Sequence, residues 1–158
     1  MVKFNNLNAQ WLAVKDQAMP EIEELFETSQ FILGPQVQRF EEAFASYSGC
    51  EHGIGVSNGT DAIKIAAKAL ELGESPLVFM PANTFVATWL AVKEAYPDAH
   101  IVLIDVDEHG QMNTDQLDQY MDASLEPYES CLIVAVHMYG CCDSIDDIPR
   151  IASKYNCP

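Results

Sequence analysis

The sequence predicts an α/β protein, doubly wound around a mostly parallel sheet, and three observations carry that prediction. Near-continuous apolar runs recur as "PLVFMP", "HIVLIDVD" and "SCLIVAVHMYG". Between and after them lie stretches whose apolar residues return at helical spacing. The apolar runs also lack the in–out alternation of a half-wet antiparallel sheet, as expected of parallel strands covered on both faces by helices.

The first fifty residues read as a helical segment, residues 1–50, ahead of the α/β region at 51–158. "EIEELFETSQ" follows Met19-Pro20, and Pro20 suits a first helical turn. Gly34-Pro35 interrupts the chain, and Val37, Phe40, Phe44 and Tyr47 then share one face of a helix ending at Gly49. In the second region "GIGVS" is a short strand candidate. A helix follows over 61–72, carrying Ile63, Ala66, Ala67 and Leu70 and closed by Gly73. After "PLVFMP", "TFVATWLAVKEAY" forms a helix stopped by Pro97; after "HIVLIDVD", "NTDQLDQYMD" forms one capped by Asn113 or Thr114. "SIDDIPRIASKY" supplies the last, with Ile145, Ile148, Ile151 and Tyr155 on one side. The strand–helix alternation calls for another strand after "YNCP", so the sheet reads as incomplete in this chain.

Composition narrows the function classes. Eight basic residues against 24 acidic ones give a formal charge of −16, the wrong sign for a nucleic-acid partner, which needs clustered Lys and Arg. Neither "FVATWLAV" nor "CLIVAV" is long enough to span a bilayer, and "MVKFNNLNAQ" lacks the apolar region of a signal peptide. Five cysteines (Cys50, Cys131, Cys141, Cys142 and Cys157) without such a signal read as reduced thiols of a cytoplasmic protein.

The stretch "HGIGVSNGTDAIKIAAKAL" places a glycine-rich turn just before a helix. Free amides and the positive end of a helix dipole meet there, so the turn can receive an anion: Gly59 admits close approach and Thr60 adds a hydroxyl. An ordinary turn with Ser57 or Asn58 as N-cap is the competing reading. No Gly-Lys-Ser/Thr follows, so the P-loop is excluded; no acid stands at the end of the next strand, in "FMPANT", so a dinucleotide is disfavoured.

"FILGPQVQRFEEAFASYSGCEHGIGVSNGTDAI", "MPANTFVAT", "VLIDVDEHGQMNTDQL" and "VAVHMYGCCDSID" together resemble the DegT/DnrJ/EryC1/StrS family, in the family's order and spacing over nearly the whole chain. The resemblance implies a three-layer sheet of the fold type I large domain, here its N-terminal part, and pyridoxal 5′-phosphate as cofactor. The implied activity is amination of nucleotide-linked keto-sugars with glutamate as amino donor, in a homodimer. Asn58, Gly59 and Thr60 would hold the cofactor phosphate. Phe85 would stack on the pyridine ring, against the alternative of a core Phe at a helix start. His137 and Tyr139, with Thr88, and Thr84 nearby, would approach the active-site floor.

The same resemblance implies a Schiff-base lysine and a pyridine-nitrogen aspartate. Lys3, Lys15, Lys64, Lys68, Lys93 and Lys154 do not stand in the family's lysine context. Both catalytic residues are therefore expected downstream, and the chain alone is expected to be inactive. A sugar dehydratase of the same family, with histidine for lysine, and a non-catalytic regulatory or dimerisation module are the alternatives. "DVDEHG" alternates Asp105, Asp107 and His109 as a metal loop does, but lacks the Gly and Glu of a calcium-binding loop, so strand-end capping is expected and no metal. Cys141 and Cys142 form no C-x-x-C pair and are expected to be buried or half-buried thiols. Asp143, Asp146 and Asp147 fit a helix start.

Overall fold

The computed structural model describes residues 4–126, 128–142 and 146–158. The chain divides into two compact units, Met1–Gly55 and Val56–Pro158.

In the first unit, α1 spans Leu7–Thr28 and α2 spans Pro35–Ser48. Asn6 caps α1 through Oδ1, which accepts from the Ala9 N–H at 3.4 Å. The helix therefore begins well before Pro20, which lies in its interior instead of its first turn. A proline there removes one i→i−4 bond, and the remaining ladder on either side carries the helix through. Pro35 stands at the start of α2, where its missing N–H costs nothing. Gly49, at φ +68°, closes the helix, with the Cys50 N–H reaching back to the Ala45 carbonyl at 2.9 Å. Arg39 pairs with Glu21. The expected apolar face of α2 forms, but on the surface: Phe40, Phe44 and Tyr47 are exposed and stack along the helix at 5.6 and 6.4 Å between ring centroids.

"GIGVS" is not a strand. A strand exists only through a neighbour's ladder, and among the described residues none pairs with residues 53–57. The Gly55 N–H goes instead to Glu41 Oε1 at 2.6 Å.

The second unit builds a parallel sheet in the order β2-β1-β3 from β1 (Leu77–Pro81), β2 (His100–Ile104) and β3 (Cys131–Ile133). Leu77 pairs with His100 on one side and Cys131 on the other. Four helices complete the unit among the described residues: α3 (Gly59–Ala69), α4 (Val86–Ala95), α5 (Thr114–Ser124) and α6 (Asp147–Tyr155). Alternate residues of β1 serve opposite faces, as the two-residue period of a strand requires. Val78 and Met80 pack with Ala67, Val92 and Ala95 of α3 and α4. Leu77 and Phe79 pack with Leu117, Met121, Ile148 and Ile151 of α5 and α6. This is the doubly wound, three-layer arrangement. All five residues of β1 are buried, whereas β2, at the sheet edge, leaves Leu103 exposed.

Two boundaries differ from the sequence expectation for physical reasons. The helix of 61–72 begins at Gly59 and ends at Ala69, since Asn58 already caps it and Glu71 turns left-handed two residues before Gly73. The strand in "SCLIVAVHMYG" pairs over only three residues. Val134 still donates to the Phe79 carbonyl at 2.8 Å. The next bond in a parallel ladder would come from the residue two beyond Phe79, which is Pro81 and has no N–H. Ser144, Ile145 and Asp143, expected at the start of the last helix, lie outside the described residues.

Buried Tyr96 ties the bottom of the fold together. Its hydroxyl donates to the Ala67 carbonyl at 2.8 Å and accepts from the Leu72 N–H at 3.1 Å. On the other face Lys154 Nζ donates to Asp118 Oδ1 at 2.8 Å, joining α6 to α5. That bond holds the Asp118 carboxyl below the ordinary carboxylate value and Lys154 above its own. A depressed carboxylate contributes stability above its unfolded pKa of about 4, and loses it as pH falls through the lower folded value. Acidification below about pH 4 should thus loosen α6 from α5, read as faster amide exchange in α6, and Asp118→Asn should flatten that response. An α6 whose exchange ignores pH in this window would refute the linkage.

Candidate functional site

The turn before α3 is organised by Asn58. Its Oδ1 accepts from the Asp61 N–H at 2.9 Å, and its carbonyl accepts from the Ala62 N–H at 3.0 Å. The amides of Gly59 and Thr60, first in the helix, have no intrahelical acceptor and carry the positive end of the dipole. A Cβ built on Gly59 would meet nothing within 4 Å, so the turn is uncrowded on the side that Cβ would face.

Asn58 is thus a cap, and its side chain is already engaged: Nδ2 lies 3.2 Å from both Ser57 Oγ and Asp61 Oδ2. Ser57 also donates to Asp61. Ser57 and Asp61 were not singled out as site residues from the sequence. The signal was present, because a capping residue followed three positions later by an acid marks a reciprocally closed helix start. The Asp61 carboxylate stabilises α3 and opposes a second negative charge at the same end.

Which end of the sheet this turn occupies follows from the chain path. Beyond the C-terminal end of α3, the Leu72 carbonyl accepts from the Ser130 hydroxyl, one residue before β3. The end of α3 therefore lies at the amino edge of the sheet. Eleven helical residues rise about 16 Å, the height of a five-residue strand, so the Asn58–Thr60 turn stands at the carboxyl edge. The strand order adds a second pointer. From β1 the chain crosses to β2 on one side and returns to β3 on the other, a topological switch between β1 and β3, where open α/β sheets bind ligands beyond the strands' carboxyl ends.

The other candidates leave that edge with different exposures. Phe85 caps α4 four residues past β1 and is 74% exposed, so it is not the core Phe that its position also allowed. Thr88 is buried, its hydroxyl 2.9 Å from that of Thr84, and serves the start of α4 instead of facing outward. His137 is exposed and precedes the 3-10 turn Met138–Gly140. Tyr139 is fully exposed at φ +54°. A non-glycine residue in this left-handed region costs about 1 kcal/mol or more, and such strain is concentrated where side chains are aimed for function.

Several other charged groups are already engaged. Lys64 Nζ pairs with Glu94 at 2.8 Å, and that bond raises its pKa. Lys93 Nζ donates to the carbonyls of Pro97 and Ala99, at 3.0 and 2.7 Å. Asp107 Oδ1 accepts from the N–H groups of His109 and Gln111, both at 2.9 Å, and Asp105 Oδ1 from Val106 at 2.8 Å, so these carboxylates cap the turn after β2. Cys141 is half-buried, but Cys142 is exposed, against the expectation that both thiols would be covered.

Residues 13–158 match the DegT/DnrJ/EryC1/StrS aminotransferase family. The chain belongs to that family. Among its relatives, the UDP-2-acetamido-2-deoxy-3-oxo-D-glucuronate aminotransferase of Pseudomonas aeruginosa is 36% identical over 100% of this chain and 42% of its own length. Among solved structures, a DegT/DnrJ/EryC1/StrS aminotransferase from Brucella abortus superposes with a TM-score of 0.88 at 30% identity, over 99% of this chain and 42% of that one. NtdA from Bacillus subtilis, solved with bound cofactor PMP, superposes with a TM-score of 0.77 at 30% identity, over 88% of this chain and 31% of that one. The chain therefore spans about two-fifths of the relatives it matches. Family membership accounts for the parallel three-layer sheet.

Proposed function

We propose that this chain is the N-terminal portion of a pyridoxal-phosphate-dependent aminotransferase acting on nucleotide-linked keto-sugars, with glutamate as the amino donor. The observation that carries the reading is the open, capped start of α3 at the carboxyl edge of the sheet, in a chain matched by the family over residues 13–158.

The residues present fit the cofactor's phosphate end. In this reading the Gly59 and Thr60 amides and the Thr60 hydroxyl bind the phosphate. The Phe85 ring covers one face of the pyridine and keeps water from it, and His137 and Tyr139 line the floor beyond β3. Asn58 acts by holding the turn rather than by direct contact, because its side chain caps the helix. Once bound, pyridoxal phosphate supplies the electron sink that amino transfer to a ketone requires. The cofactor-anchoring lysine lies outside this chain in our reading. Lys64, Lys93 and Lys154 are paired elsewhere, and Lys68 sits in the last turn of α3, at the opposite end from the site. The whole protein is a homodimer and cytoplasmic in this proposal. The exposed aromatic row of α2 suits a partner subunit, and among the described residues no helix is long and apolar enough to cross a membrane.

Titration with pyridoxal phosphate and with pyridoxal tests the phosphate contact. Pyridoxal phosphate should bind more tightly, and Thr60→Val should weaken it by about tenfold, the worth of one charge-assisted hydrogen bond. Equal affinity for both compounds, with Thr60→Val without effect, would overturn the assignment.

A further inference from the structure

Beyond the candidate site, two thiols meet inside the second unit. Cys131 opens β3 and Cys157 follows α6; both are buried in the cluster formed by Phe79, Leu117 and Ile151. The Ile133 N–H donates to the Pro158 carbonyl at 2.9 Å, which brings the end of the segment after α6 alongside β3. Residues 157–158 thus reach the side of β3 turned away from β1. Continued as a parallel pairing, that bond would set Leu132 against Pro158 and Cys131 against Cys157, with paired side chains on one face. Neighbouring strands lie about 4.8 Å apart, inside the range of about 4.4–6.8 Å between Cα atoms that a disulfide spans.

We propose that Cys131 and Cys157 are a redox pair, converted by a low-molecular-weight disulfide into an intramolecular bridge that ties the segment after α6 to β3. One cysteine thiolate attacks the oxidant's disulfide, forming a mixed disulfide and releasing one thiol. The second cysteine thiolate then attacks the protein sulfur of that adduct and displaces the second thiol. Two electrons pass from the pair to the oxidant, and the two cysteine protons end on the released thiols. Burial sets the rate. It pushes both thiols above their ordinary value, with Cys131 adding to the rise at Cys157, so little thiolate is present at neutral pH. The exposed Cys50 and Cys142 react first with any oxidant. The buried pair responds to sustained oxidation.

Oxidised glutathione applied to the intact protein, followed by acid quench, alkylation and peptide mapping, tests this. A linked peptide containing Cys131 and Cys157 should form and disappear with dithiothreitol. Its rate should rise by about tenfold per pH unit between pH 7 and 8, as the thiolate fraction does below the thiol pKa. A Cys50→Ser/Cys142→Ser double variant, with both changes at exposed positions, should retain the link, and Cys157→Ser should lose it. The proposal fails if the double variant remains folded while Cys131 and Cys157 are recovered only as alkylated thiols. It fails equally if the bridge maps to Cys141 and Cys142.

Discussion

Replacing Phe79 with alanine is expected to cost about 3–5 kcal/mol, enough to leave a large fraction of the chain unfolded at room temperature. Phe79 is the central residue of the central strand, 0% exposed, and its ring fills the layer between the sheet and α5–α6. Its backbone also pairs with Val102 and with Ile133, so the cavity would open where both edge strands are registered. Relaxation cannot close it without moving one of them. Leu103 supplies the contrast. It lies on β2, one position beyond Phe79's partner, but is 54% exposed, and Leu103→Ala should cost under about 1 kcal/mol. Urea unfolding of the two variants would measure the difference through their midpoints. Similar losses in both would mean that the core is not centred on β1.

Gly59→Ala is expected to separate ligand binding from stability. The position is helical and its Cβ would point into open space, so alanine should leave the fold intact or stabilise it by up to about 1 kcal/mol. In the proposed complex that same space holds the cofactor phosphate. A methyl group in that space should weaken pyridoxal phosphate binding by about tenfold or more, on the scale of about 1.4 kcal/mol per decade. Thermal melting and ligand titration on one sample would measure both quantities. A variant that melts at or above the parent temperature but binds poorly identifies the turn as a ligand cradle. A variant that binds as well as the parent shows that the anion approaches elsewhere.

The elements with local signals were legible in the sequence. The caps at Ser57 or Asn58 and at Asn113 or Thr114, the stop at Gly49 and the apolar run of β1 are fixed by residues within a few positions of one another, and the structure chooses Asn58 and Asn113 and keeps the rest where those residues stand. What could not be read locally was pairing. "GIGVS" has a strand's composition but no ladder among the described residues. β3 stops after three residues because of Pro81, a residue some fifty positions away in the chain. Exposure was equally hidden. The stripe Phe40–Phe44–Tyr47 has the spacing of a buried face but lies on the surface, and nothing in the spacing told that Thr88 is buried with its hydroxyl against that of Thr84. Of the candidate site, the glycine turn was visible because amides at a helix start need no distant partner. The use of Asn58 and Ser57 to close that turn around Asp61 depended on rotamers that spacing does not specify.

From the sequence alone came the α/β class, the capped helix start at 58–60 and the family, because helix periodicity, capping chemistry and motif order are properties of neighbouring residues. Only the tertiary structure decided which strands pair, which aromatic rings face solvent and that Cys131 meets Cys157. Those outcomes depend on contacts between segments far apart in the chain, and burial and ladder geometry are set only when such segments are brought together.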